Sequence, residues 1–154
     1  MTAPGGTRIA IVISRFNRAV TDNLLEGARE AVRKLGVLCD DEDVFSVPGA
    51  FELPLIAREA ARSSRYGAVV CLGAVIRGET PHFEYVCQEA ASGIARVSLE
   101  TGKPVAFGVL TTDDTTQALE RAGGAVGNKG YEAVATVVET LATIARVRRA
   151  GNYG

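Results

Sequence analysis

The stretch Arg8-Ile9-Ala10-Ile11-Val12-Ile13-Ser14 is apolar and β-branched without a break instead of alternating with polar residues. That pattern is expected of a strand covered on both faces, as in the centre of a parallel sheet. Downstream the period changes. Leu24, Leu25, Ala28, Ala31, Val32 and Leu35 recur at helical spacing, with Thr21 as the expected N-cap and Gly36 as the stop. One β-α unit is therefore complete by Gly36.

The same grammar recurs along the chain. Val44 to Val47 reads as a strand and Phe51 to Arg62 as a helix whose Pro54 is tolerated in the first turn. Ala68 to Val75 is the third strand. Thr80 is the expected cap of a long helix from Pro81 through Val86, Ala90, Ile94 and Val97, stopped by Gly102-Lys103-Pro104. Val105 to Leu110 follows as the fourth strand, then a short helix over Thr115 to Ala122, a glycine-rich link from Gly123 to Gly127, and a last helix from Asn128 to Arg149. Strands alternating with helices predict a three-layer α/β/α sandwich around a four-stranded parallel sheet.

The chain's 154 residues suffice for one hydrophobic core but not two ordinary domains, so a single domain over 1–154 is expected, with 1–7 as a flexible tail. Seventeen basic and eighteen acidic residues give a net charge of -1. Such a balance offers no basic excess for nucleic acid or an anionic membrane. Arg146, Arg148 and Arg149 fall where the last helix ends, and cations there complement the helix dipole. Cys39, Cys71 and Cys87 are odd in number and form no C-x-x-C pair, which fits free buried thiols and neither a disulfide framework nor a metal site. With no apolar leader and no uncharged span of membrane length, a cytoplasmic protein is expected.

In open α/β sheets ligands bind beyond the carboxyl ends of the strands, so the strand-to-helix junctions carry the chemistry. The first, Ser14-Arg15-Phe16-Asn17, puts an aromatic ring on a loop, either as a lid over its own helix or as a stacking surface for a planar heterocycle. The second, Val47-Pro48-Gly49-Ala50-Phe51-Glu52, delivers a carboxylate to a helix N-terminus, where Glu52 either complements the dipole or grips a polyol. The third is Ala74-Val75-Ile76-Arg77-Gly78-Glu79-Thr80-Pro81-His82. Free amides at the start of the long helix suit a phosphate beside the Thr80 hydroxyl. The sole histidine, His82, sits there too, either structurally or as a neutral proton acceptor disfavoured as imidazolium by the dipole. No Walker sequence, no G-x-G-x-x-G after the first strand and no nucleophile elbow occurs. Gly127-Asn128-Lys129-Gly130 is no phosphate loop, because no strand is expected to lead into it. The residues alone imply a protein that binds a phosphate, an aromatic ring and a polyol.

Taken together, these junctions resemble the lumazine synthase family. The resemblance rests on Ser14-Arg15-Phe16-Asn17, on the segments Val47 to Pro54, Leu72 to Phe83 and Lys103 to Leu110, and on Glu120-Arg121-Ala122-Gly123 followed by Gly127-Asn128-Lys129-Gly130, all in family order and spacing from Arg8 to about Arg146. It implies a flavodoxin-like fold and condensation of 5-amino-6-(D-ribitylamino)uracil with 3,4-dihydroxy-2-butanone 4-phosphate to give 6,7-dimethyl-8-ribityllumazine, phosphate and water, with no metal and no cofactor. By the same resemblance Phe16 stacks on the uracil, Ala50, Phe51 and Glu52 hold the ribityl chain, and Ala74, Val75 and Ile76 line the pocket. Glu79 and Thr80 take the phosphate through their backbone, and His82 shuttles protons. Phe107, Arg121 and Lys129 are implied to come from a neighbouring chain, with Arg121 pairing the phosphate. The family forms pentamers, paired pentamers and sixty-subunit capsids, and the short link at Gly123 to Gly127 points to a capsid. Riboflavin synthase is a further partner of such assemblies. Two rival readings share the same features: a flavin or nucleotide carrier without turnover, and a shell protein whose site has decayed.

Overall fold

The structure is a computed structural model and describes residues 2–151; Met1 and residues 152–154 of the expected single domain lie outside the described residues. Strand β1 (Ile9–Ser14) is buried along its whole length. Ile9, Ile11 and Ile13 face one layer, and Ala10 and Val12 face the other. Burial on both faces is what its unbroken apolar pattern required. The chain continues through α1 (Arg18–Leu35), β2 (Val44–Val47), α2 (Leu53–Arg62), β3 (Ala68–Ile76), α3 (His82–Thr101), β4 (Val105–Thr112) and α4 (Thr115–Glu120). A small hairpin of β5 (Ala122–Gly124) and β6 (Gly127–Asn128) then leads into α5 (Lys129–Gly151).

The sheet is parallel with order β2-β1-β3-β4. Val20, Leu24 and Ala28 of α1 cover one face together with Ala118 of α4 and Ala133, Val134 and Val137 of α5. Leu53 and Ala57 of α2 cover the other face with Ala90, Ile94 and Val97 of α3. The result is the expected three-layer α/β/α sandwich. Because β2 lies on one side of β1 and β3 on the other, the connections diverge at the carboxyl ends of β1 and β3. Such a switch point leaves a crevice between helices.

Several element boundaries differ from the sequence reading, each for a local reason. Helix α1 is capped by Asn17, whose φ of 63° is left-handed, and its carbonyl accepts from the Val20 and Thr21 amides. Arg18 and Ala19 are exposed and gave no apolar signal, so the start looked later; Thr21 is buried inside the helix instead of capping it. Residues Ala50–Glu52 form a 3-10 turn ahead of α2, closed by the Gly49 amide donating to the Glu52 carboxylate at 2.9 Å. At α3 the N-cap is Pro81, whose carbonyl accepts from the Glu84 amide at 3.0 Å, and Thr80 makes no capping bond. The glycine-rich link is the tip of the β5–β6 hairpin, where Gly123 and Gly127 have φ of 100° and 108°. A two-residue strand therefore does lead into Lys129-Gly130, but it is a hairpin arm outside the main sheet. Of the three thiols only Cys71 is fully buried; Cys39 and Cys87 are half-buried. Among the described residues no helix is long and apolar enough to cross a membrane.

Candidate active site

A cleft of about 700 Å³ opens at the switch point, between the ends of β1 and β3 and the starts of α2 and α3. It gathers Phe16, Ala50, Phe51, Glu52, Ala74, Val75, Ile76, Thr80 and His82, nine residues expected from three separate junctions. The Phe16 ring is 70% exposed at the cleft, so it is not packed as a lid over α1. The left-handed Asn17 holds it there: the Asn17 side-chain amide donates to the Ala74 carbonyl at 2.9 Å, tying the first junction to the end of β3. The Phe16 amide also donates to Pro48 O at 3.1 Å, joining the first and second junctions.

At the second junction Phe51 projects into solvent at 58% exposure. One Glu52 oxygen accepts from the Gly49 amide, and Glu52 lines the cleft. It thus serves the turn and still presents an acceptor. At the third junction the amides of Glu79, Thr80, His82 and Phe83 have no partner among the described residues, as the free end of a helix dictates. Glu79 is not among the residues that line the cleft, whereas Gly78 and Thr80 on either side of it are. His82 is the first residue of α3 and exposed, and its imidazole makes no hydrogen bond among the described residues.

Phe107, Arg121 and Lys129 lie elsewhere. They line a second hollow of about 470 Å³ along the free edge of β4, with Thr112, Gln117 and Glu132. The Arg121 guanidinium donates to Gln117 O at 3.1 Å and stands 3.7 Å from the Glu120 carboxylate. Its backbone carbonyl accepts from the Lys129 amide at 2.8 Å, which sets Arg121 and Lys129 side by side. The two hollows share no lining residue. Neither is lined by a cysteine, and burial pushes the Cys71 thiol up to about 12 and that of Cys39 up to about 11.

A family model described as 6,7-dimethyl-8-ribityllumazine synthase matches residues 6–145, nearly the whole chain. The chain belongs to the 6,7-dimethyl-8-ribityllumazine synthase family. Membership of the lumazine synthase family makes it an enzyme of transferase type tied to riboflavin formation. The matched span contains both hollows and all four strands of the sheet.

Sequence reasoning passed over several cleft residues of this lumazine synthase family member. Tyr85 and Val86 line the cleft beside His82, and spacings of three and four on one helix put them on its face. That spacing was a usable signal. Asn17 carried such a signal too, since an asparagine just before a helix is among the few residues that tolerate a left-handed cap.

Proposed function

We propose that the protein condenses 5-amino-6-(D-ribitylamino)uracil with 3,4-dihydroxy-2-butanone 4-phosphate to 6,7-dimethyl-8-ribityllumazine in the penultimate step of riboflavin formation. The observation that carries this reading is the cleft itself: an exposed aromatic ring, a carboxylate, a row of free amides and an imidazole face one space. Phe16 stacks on the uracil, the Ala50–Glu52 turn binds the ribityl chain, and Ala74, Val75 and Ile76 form the wall. The amides of Glu79 and Thr80, at the positive end of α3, hold the phosphate.

The uracil amine attacks the ketone and one water leaves as the imine forms. Phosphate is then eliminated, and the ribitylamino nitrogen closes the ring with loss of a second water. The substrate supplies the nucleophile, so the protein's work is alignment, worth roughly 7 kcal/mol or more when geometry is good, together with proton movement at His82 and charge stabilisation at the phosphate. Phe107, Lys129 and Arg121 complete the site from a second copy, with Arg121 on the phosphate. That requirement makes the working unit a homo-oligomer, a pentamer or a sixty-subunit shell built of pentamers, in the cytoplasm and with riboflavin synthase as a candidate companion.

Mixing the two substrates with protein and following the fluorescent lumazine tests the reading, since a carrier would retain ligand and form no product. Arg121→Ala is expected to raise KM for the butanone phosphate by about tenfold or more, the loss of a charge-assisted hydrogen bond. His82→Ala is expected to slow turnover by roughly a hundredfold without abolishing it. An unchanged KM in the Arg121 variant would overturn the phosphate assignment.

A further inference from the structure

The turn from Gly78 to Pro81 carries the free amides, yet little in it holds its shape. None of the side chains from Gly78 to His82 makes a hydrogen bond among the described residues, and Glu84 N to Pro81 O is the single backbone bond that closes it. What fixes the turn lies at its two ends, and one side chain reaches both. The Arg77 amide donates to Thr112 O at 2.8 Å, continuing the β3–β4 ladder by one residue. Its Nε donates to Asp113 Oδ1 at 3.0 Å, and its Nη1 lies 3.4 Å from Glu84 Oε1. The guanidinium also sits over the Phe83 ring, 4.6 Å from the centroid. Residue 77 precedes the turn and residues 83 and 84 follow it, so this guanidinium staples the turn shut and anchors it to the end of β4.

We propose that Arg77 is a positioning residue for the phosphate-bearing substrate, fixing the 78–81 turn and neutralising the two carboxylates beside it. The inference rests on the proposed phosphate role of that turn. Two physical effects act in the same direction. A planar fork that meets Asp113 and Glu84 while stacking on Phe83 restrains the amides in the arrangement an anion needs, which a lysine's single point of charge does not reproduce. Without that cation Glu84, in the first turn of α3, and Asp113 would both stand uncompensated near an incoming dianion. Arg77 does not line the cleft, and its Nε and Nη1 face carboxylates, so it acts through the turn and not as an anion ligand. Each of these pairs is partly exposed, with both carboxylates 66% accessible, so solvent screens them and the expected effect is moderate.

The experiment compares Arg77→Met, Arg77→Lys and the double variant Arg77→Met/Glu84→Gln with the unaltered oligomer. The readouts are KM for each substrate, kcat, inhibition by inorganic phosphate, and Tm. Arg77→Met is expected to raise KM for the butanone phosphate and the inhibition constant of inorganic phosphate by about two- to fivefold. Tm and the KM for the ribitylaminouracil should change little. Arg77→Lys should recover part of the loss by restoring charge without the fork. Removing the Glu84 charge in the double variant should recover another part. Phosphate constants that do not move in Arg77→Met, or a parallel rise in both KM values with a fallen Tm, would overturn the proposal. Absence of lumazine formation by the unaltered protein would instead overturn the proposed function, and direct calorimetric titration with inorganic phosphate separates the two failures.

Discussion

Asp43 has no solvent-accessible surface and yet keeps its charge, because four donors converge on one carboxylate at the amino end of the sheet. Arg8 Nη1 lies at 2.6 Å, the Tyr66 hydroxyl at 2.8 Å, the Asp40 amide at 2.9 Å and Arg65 Nε at 3.0 Å. Burial by itself would raise the pKa of this group, but the Asp40 amide, the Tyr66 hydroxyl and the two guanidinium groups together prevail and hold it well below the usual carboxylate range. A carboxyl with a depressed folded pKa contributes its full stabilisation above its unfolded value of about 4 and loses it as pH falls toward the folded value. Asp43→Asn is therefore expected to lower stability by about 2 kcal/mol near neutral pH, less than for a wholly buried pair because both arginines reach solvent. Urea midpoints should show that difference shrinking steadily below about pH 4; a constant difference down to about pH 2 would refute the assignment. Nothing in the sequence announced this cluster, since its members come from residues 8, 40, 43, 65 and 66 and only the registers of β1 against β2 and β3 bring them together. Phe16 is the converse case: the residue was visible, but whether it covered its own helix or faced a cleft depended on the left-handed Asn17 beside it.

At the scale of elements, the strands were legible because burial on both faces forces an unbroken apolar run. The helix starts were not, because Asn17 and Pro81 set them through backbone geometry instead of through a capping hydroxyl. The Gly127-Asn128-Lys129-Gly130 segment shows what such a motif is for once the helices are in place. Asn128 Oδ1 accepts from the Gly130 and Tyr131 amides at 2.8 and 3.1 Å, capping α5, and its Nδ2 donates to Asn23 O at 3.0 Å on α1. A Cβ on Gly130 would overlap the Leu24 carbonyl, and one on Gly27 would overlap the Asn128 side chain, so both glycines are required by the close crossing of α1 and α5. Gly130→Ala should cost about 1–3 kcal/mol, the usual range for overpacking. Gly151→Ala is the matched control, because a Cβ there meets nothing among the described residues. A Tm for Gly130→Ala equal to that of the control would show that the crossing can relax. Since the Lys129 amide is bonded to Arg121 O, the same substitution should also disturb the second hollow.

For the whole molecule, the decisive fact is that one chain holds two unlike hollows that share no lining residue. The cleft at the switch point has the Phe16 ring, the Glu52 carboxylate and the start of α3, while the edge of β4 has the Lys129 ammonium and the guanidinium of Arg121. A heterologous, head-to-tail contact between copies would bring the edge of one chain to the cleft of the next, and a contact of that kind closes into a ring when its rotation permits. Spacing and periodicity alone could not show this separation, because motifs in linear order say nothing about which of them share a chain's own cavity; only the family resemblance implied a neighbouring chain for Phe107, Arg121 and Lys129. The proposed arrangement makes a prediction that no single-chain site could satisfy. Glu52→Ala removes a group from the cleft half and Arg121→Ala removes one from the edge half, so each pure oligomer should be impaired at every site. Chains of the two kinds refolded together at equal amounts should assemble rings in which about a quarter of the sites take an intact cleft from one chain and an intact edge from its neighbour. Lumazine formation by the mixture should then exceed the mean of the two pure variants, with normal KM values for the recovered fraction. Activity no greater than that mean, in mixed oligomers verified by mass, would place both halves of each working site on one chain and rule out the shared site.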